Sequence, residues 1–445
     1  MPFGVPGLKK TFVAMAGLIA ASVAMVACGS SNSSNSQHQA SGFKFRALVS
    51  NPLFPNGLSN APVLNIVDAT RNVLSRAPIS LVGTVTQAGL MAVSPSLSLT
   101  LVFSPADNTI AVVNNAAESV GSSSNGGPLV TNFVLPGLTE SMFVAKDNVT
   151  AYAAVPSAPV AGQAPGAVVV MNLATGGVTA TLPVAGAHFI VPGPDGNNVL
   201  VFSDNSDAIT VISAVLIGTS QDPRTIVTGT AQNHFDRPVW AIFNGSGSAY
   251  VFNCGKQCGG TAAGISTFTI GDAGPGVTTP LSAATYGLLN GTTLYVAGTP
   301  PHTACGSGTA APTCGTLNIL NVSSMEVTNT KPIVITDGYH DRMEMASNGR
   351  LFIGSHSCSN VNISGGEVRG CLSIFNTTNS KVVIPPQIGD ATGIQAIPGS
   401  NDVYVCEGGV FQIFDTTTDE LLVQNFRVVI VGQAIDVKLV DPPPD

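Results

Sequence analysis

Two short runs of this chain carry the same three chemical types in the same order: His234-Phe235-Asp236-Arg237 and His340-Asp341-Arg342. A guanidinium offers a planar fork of donors to a carboxylate or carbonyl, and an imidazole beside it titrates near neutral pH. Lys and Arg together number only 17 in 445 residues, so two arginines in matching runs are informative. One reading is an anion- or carbonyl-binding rim. The other is a pair of structural clusters, each satisfying backbone groups and holding an ion pair. Two residues after Arg342 comes Glu344, in a stretch otherwise short of charge. On a strand, alternation puts Arg342 and Glu344 on one side. They then form a buried ion pair, or the carboxylate faces a cavity as a base or ligand. His188, His356 and Glu407 are further candidate ligand-binding residues.

The familiar catalytic motifs are absent. The chain has no Gly-x-Ser-x-Gly elbow, no His-Glu-x-x-His and no phosphate loop ending in Gly-Lys-Ser/Thr. Gly306-Ser307-Gly308 begins a loose match to a dinucleotide loop, but it lies between two neighbouring cysteines. Asp204-Asn205-Ser206-Asp207 lacks the Gly and distal Glu of a calcium loop. No cofactor and no metal are therefore expected, and no catalytic residue is assigned. The net charge of −8, the scattered bases, one Trp and six Tyr argue against nucleic acid as a partner.

The elements that must position these residues repeat along the chain. Eight β-rich runs recur roughly every 50 residues: Ala47–Asn51, Thr100–Ser104, Ala151–Val155, Val199–Ser203, Ala249–Asn253, Leu294–Gly298, Leu351–Ser355 and Val403–Glu407. Four strands with their turns fill about 40–50 residues, which is one blade of a β-propeller. Asn-Gly and Asp-Gly turns, such as Asp195-Gly196 and Asn290-Gly291, precede most of the runs. Asp68, Asn172, Asn376 and Asp415 each open a second kind of turn, in which the side chain bonds its own backbone two residues on. The first repeat lacks an innermost strand, whereas Ala434 to Val440 is a strand without a blade. The expectation is an all-β, closed propeller over residues 43–445. It has eight four-stranded blades, with seven as the alternative, and the C-terminal strand closes the ring. Trp240 is expected in the core between blades.

Leu294-Tyr295-Val296 and Val403-Tyr404-Val405, with these turns, resemble the YVTN-type, WD40-like propeller repeat. The resemblance implies that blade-to-blade loops and second-to-third-strand loops share one face. His188, His234, His302, His340 and His356 then fall in or beside loops of that face. Both His-Asp-Arg runs precede innermost strands and should rim the central channel. Some proteins with such repeats are lactonases or other hydrolases, which makes hydrolysis at the rim the alternative to binding.

Cys254 with Cys258, Cys305 with Cys314 and Cys358 with Cys371 form three local pairs, each between second and third strands. Disulfides are the expected state in an exported chain. Export is indicated by Lys9, Lys10 and the apolar stretch Thr11 to Ala27. The segment ends in Met25-Val26-Ala27-Cys28, which resembles the lipobox of bacterial lipoproteins. That resemblance implies a signal peptide over residues 1–28, lipidation of Cys28, and a Ser/Asn-rich tether over 29–42. Gly29, in place of Asp, implies delivery to the outer membrane where one exists. The expected protein is thus a lipid-anchored propeller of the cell envelope, periplasmic or at the cell surface. It binds or scaffolds a partner protein or small ligand, and its only membrane contact is the lipid.

Overall fold

A computed structural model describes residues 40–444 apart from 58, 124–126, 232, 246, 302–313, 360–361, 364–366 and 423–427. The targeting segment, Cys28, most of the tether, His302 and Cys305 lie outside the described residues.

Among the described residues, eight antiparallel sheets built around four strands each follow one another along the chain, and a small two-stranded sheet, Asn362–Ile363 with Glu367–Val368, interrupts the seventh. Their innermost strands, from blade one to blade eight, are Val437–Leu439, Met91–Val93, Ser141–Val144, Ala187–Pro192, Pro238–Phe243, Tyr286–Asn290, Tyr339–Met345 and Ala391–Ala396. Each touches the next around a closed ring of eight. The protein is a β-propeller of eight blades, so the seven-blade alternative falls.

Blade one takes its innermost strand from the C-terminus. Ala47, Leu48 and Val49 pair antiparallel with Leu439, Lys438 and Val437. The junction is clasped by charge. Arg46 Nε and Nη2 each donate to Asp441 at 2.7 Å, and its Nη1 reaches Glu118 of blade two at 2.9 Å. Closure leaves neither end of the sheet series as an open edge.

The turns obey local chemistry. Asp68, Asn172, Asn376 and Asp415 accept through Oδ1 from the amides of Thr70, Ala174, Thr378 and Thr417 at 2.8–2.9 Å. Gly291, at φ 60°, supplies the left-handed residue of the hairpin after Asn290. Between blades the second and third strands are apolar on both faces, since each sheet is covered on both sides. Leu101 and Val112 of blade two meet Ala151 and Val169 of blade three in one such layer. Phe252 of blade five covers Gly287 of blade six, where a Cβ would sit 2.6 Å from the ring.

Cys254–Cys258 and Cys358–Cys371 are disulfides, each between the second and third strands of its blade. Cys314 is also disulfide-bonded, and Cys406 is a buried free thiol.

Candidate functional site

The site is built by the first residues of the innermost strands. Four of these strands share one irregularity. Ala187, Pro238, His340 and Ala391 pair regularly with the second strand, as do Phe189, Trp240, Arg342 and Gly393, with one unpaired residue between. The bulged residues are His188, Val239, Asp341 and Thr392. A bulge re-aims side chains and shifts alternation by one place.

This explains where His340 goes. It occupies the same regular position as Ala187, Pro238 and Ala391, and it is fully buried. Its Nε2 bonds the Thr336 carbonyl at 3.0 Å, Nδ1 has no partner, and the ring lies against Gly315, whose Cβ would sit 2.9 Å from Cε1. Burial lowers its pKa to about 4, with the Thr336 bond opposing, so the ring is neutral. His340 thus stands in the wall of the axial cavity with its ring buried, while the bulged Asp341 beside it is partly exposed.

An axial cavity of about 260 Å³ opens at this end of the channel. Five successive blades put one aromatic on its wall: Phe143, Phe189, Trp240, Tyr286 and Tyr339. Trp240 touches Tyr286 with centroids 5.1 Å apart and meets Phe189 edge-on at 6.3 Å. Trp240 packs against the apolar layers on both sides of its blade, as expected, and also presents its ring to the channel. Phe189 and Tyr339 stack at 6.3 Å and 9° although their blades are three apart in the ring. They bridge the mouth.

Charged groups fix the bridge. His188 stacks on Phe189 at 4.1 Å, while its Nδ1 reaches Asp204 at 2.7 Å and its Nε2 reaches Glu140 at 2.9 Å. Burial opposes protonation of His188, but the two carboxylates outweigh it and raise the pKa to about 9. On the other side His356 lies 5.2 Å from the Tyr339 ring and 3.7 Å from Asp341. The Asp341 bond holds the His356 pKa above its usual value. Beneath them Gln257, in the loop stapled by Cys254–Cys258, donates to the Gly338 carbonyl at 3.2 Å and accepts from Thr299 at 2.7 Å. The stapled loop thus ties blades five, six and seven just before Tyr339.

Arg342 and Glu344 both line the cavity, as alternation requires, but they are not an ion pair. Arg342 Nη1 pairs with Asp341 at 3.1 Å, and its Nε donates to Thr392 of blade eight at 3.2 Å. Burial pushes the Glu344 carboxyl up, and Lys438 of blade one pulls it partly back.

The remaining candidates sit apart. Arg237 lines a neighbouring recess with His188 and Asp204, but its guanidinium is occupied by the Asn205 carbonyl and by Asp207 at 3.7 Å. His234 is exposed, bridging to Gly229 beyond the outer strand Arg224–Val227, and is not among the residues lining the cavity. Glu407 is 1% exposed and does not reach the rim. Its carboxyl oxygens make no hydrogen bond of proper geometry, and burial raises its pKa to about 7, the nearby Leu372 and Cys371 amides opposing. Sequence reasoning passed over Glu140 and the aromatic arc. The signal for the arc was an aromatic recurring once per repeat, at 143, 189, 240, 286 and 339.

Among the described residues no group of three or more His, Cys, Asp or Glu is placed to hold a metal ion.

No family model and no curated protein matches the sequence. Solved structures do match. The dihydro-heme d1 dehydrogenase NirN in complex with DHE aligns with a TM-score of 0.59 at 10% identity, over 89% of this chain and 75% of that one. Hydrazine synthase from Kuenenia stuttgartiensis aligns with a TM-score of 0.52 at 13% identity, over 75% of this chain and 96% of that one. A eukaryotic initiation factor reaches 0.50 at 12% identity, over 90% and 99%. At these identities the likeness shows a shared fold alone.

Proposed function

We propose that this propeller is a non-catalytic binding protein of the cell envelope, tethered by lipid on Cys28, and that it takes a small molecule into the axial cavity. One observation carries the reading. A concave cavity lies at an aromatic bridge, and aromatic faces and polar side chains share its wall. That is the usual anatomy of a small-molecule site. The envelope address rests on the lipobox-like run ending in Cys28 and on disulfides that suit an oxidising compartment. Arg342 and Glu344 are the ligand-contacting residues, with His188 and His356 holding the bridge. Arg237, His234, His340 and Glu407 serve the scaffold.

The test is thermal unfolding of the purified protein against divalent metals, lactones, sugars and small carboxylates. A ligand of the native state raises the midpoint by mass action. A shift lost in Arg342→Ala supports the cavity. A shift that survives the substitution places the ligand elsewhere.

A second reading, a lactonase-like hydrolase, draws on Glu344. A cavity-facing carboxyl with a raised pKa is suited to general acid-base work. It requires turnover of a lactone or ester with a pH profile that changes in Glu344→Gln. Binding without turnover rejects it.

A further inference from the structure

The unpaired groups of the cavity define the chemistry of its ligand, and this inference rests on the binding reading above. Among the described residues, Trp240 Nε1, Tyr286 Oη, Tyr339 Oη and Arg342 Nη2 make no hydrogen bond within the protein. All four can donate, and the Trp240 and Arg342 groups can do nothing else, whereas the two tyrosine hydroxyls can also accept. Tyr286 and Arg342 lie close enough to act on each other electrostatically. By contrast, the rim carboxylates already have cations. Glu140 and Asp204 share His188, Asp341 holds Arg342 and His356, and Asp436 faces Lys438 at 3.3 Å. Of the carboxyls lining the cavity itself, Glu140, Asp341 and Glu344, the last has no cation within ion-pair distance, and burial pushes it toward its neutral, donating form.

A wall of aromatic faces with a surplus of donors suits a flat, electron-rich body bearing an acceptor. We infer that the axial cavity binds a small aromatic carboxylate, its ring against Trp240 and Tyr286 and its carboxylate on Arg342 and the Tyr286 hydroxyl. An organic cation fits less well. The aromatic faces would attract it, but Arg342 in the same wall would repel it, and Glu344, pushed toward its neutral form by burial, offers the weaker counter-charge. A saturated carboxylate would keep the Arg342 contact and lose the ring contacts.

Calorimetric titration of the whole protein with four matched probes tests this: phenylacetate, phenylacetamide, phenethylammonium and cyclohexylacetate. Phenylacetate should bind tightest, about tenfold or more ahead of the amide and the ammonium ion. Arg342→Gln should weaken phenylacetate roughly 10- to 100-fold and leave the amide nearly unchanged. Tyr286→Phe, which removes only a hydroxyl, should weaken phenylacetate by several-fold, and unfolding midpoints certify that both variants are folded. Preference for the ammonium ion or the amide, lost in a folded Val239→Trp variant that fills the cavity from its own wall, overturns the ligand class and keeps the binding reading. Binding of no probe overturns both.

Discussion

Phe189 and Tyr339 stack face to face at 6.3 Å across the mouth of the channel, although they come from blades four and seven. Residues on a rigid ring that meet across its axis act as a bridge over whatever lies below. A ligand reaching Trp240 and Arg342 must part these rings or pass beside them. An aromatic pair is worth about 1 kcal/mol, so Phe189→Ala should speed both association and dissociation of a cavity ligand about five- to tenfold. Stopped-flow fluorescence checks this. Unchanged rates would mean that the bridge does not gate the cavity.

Protonation strengthens the hold of His188 on Phe189, because only the charged ring donates to both Asp204 and Glu140. Its folded pKa of about 9 lies above the ordinary imidazole value of 6.5. Its contribution is therefore fully present below pH 6.5 and is lost as pH rises through 9. Asp204 and Glu140 are half or more exposed, so solvent screens the pairs and the stabilisation is about 1 kcal/mol. His188→Gln should lower stability by that amount at pH 6 and hardly at all at pH 10. Urea unfolding at the two pH values measures the difference, and an equal loss at both would refute the charged-imidazole account.

Two buried groups act in opposite senses elsewhere on blades seven and eight. His340 has a folded pKa of about 4, so its contribution is present above pH 6.5 and is lost as pH falls toward 4. Glu407 has a folded pKa of about 7, so it costs nothing below pH 4.5 and its full cost is reached above pH 7. Glu407→Gln should therefore stabilise the protein by about 2 kcal/mol at pH 8 and leave it unchanged at pH 4. His340→Met should flatten the acid limb of the stability curve. Chemical denaturation across pH reads both, and destabilisation by Glu407→Gln at pH 8 would show that the carboxylate form is used.

Ring closure rests on Arg46 and Asp441. Their bonds are short and largely shielded, with side-chain exposures of 10% and 15%. Removing one partner of such a pair costs about 3 kcal/mol or more. Asp441→Ala should lower the unfolding free energy by that amount, and hydrogen exchange should rise first in Arg46–Asn56 and Val437–Leu439. Loss of protection spread evenly over all blades would argue that closure is not the weak point.

Much of the architecture was readable in the residues. The eight β-rich runs became the second strands of eight blades, and Asp68, Asn172, Asn376 and Asp415 made the expected side-chain turns. The orphan strand after Ala434 closed blade one because strand pairing must be satisfied somewhere. The site was read less well, for a physical reason. Alternation assigns faces correctly only while the ladder is regular, and bulges at His188, Val239, Asp341 and Thr392 shift it by one place. After the bulge, Arg342 and Glu344 alternate as expected and both reach the cavity. Before it, the His340 ring is buried against Gly315, while the bulged Asp341 is partly exposed in the cavity wall. Trp240 looks like core in a sequence because a large apolar ring is usually buried. Only the ring of blades shows that its neighbours are Tyr286 and Phe189 on a channel wall.

The single Trp of the chain, Trp240, lies in that wall and reports on the cavity directly. The most direct measurement is its emission during titration with phenylacetate, for the wild type and for Arg342→Gln. The account predicts a saturable change whose midpoint matches calorimetry and moves to roughly 10- to 100-fold higher concentration in the variant. Calorimetric binding that leaves Trp240 emission unaltered, or a midpoint indifferent to Arg342, would contradict it.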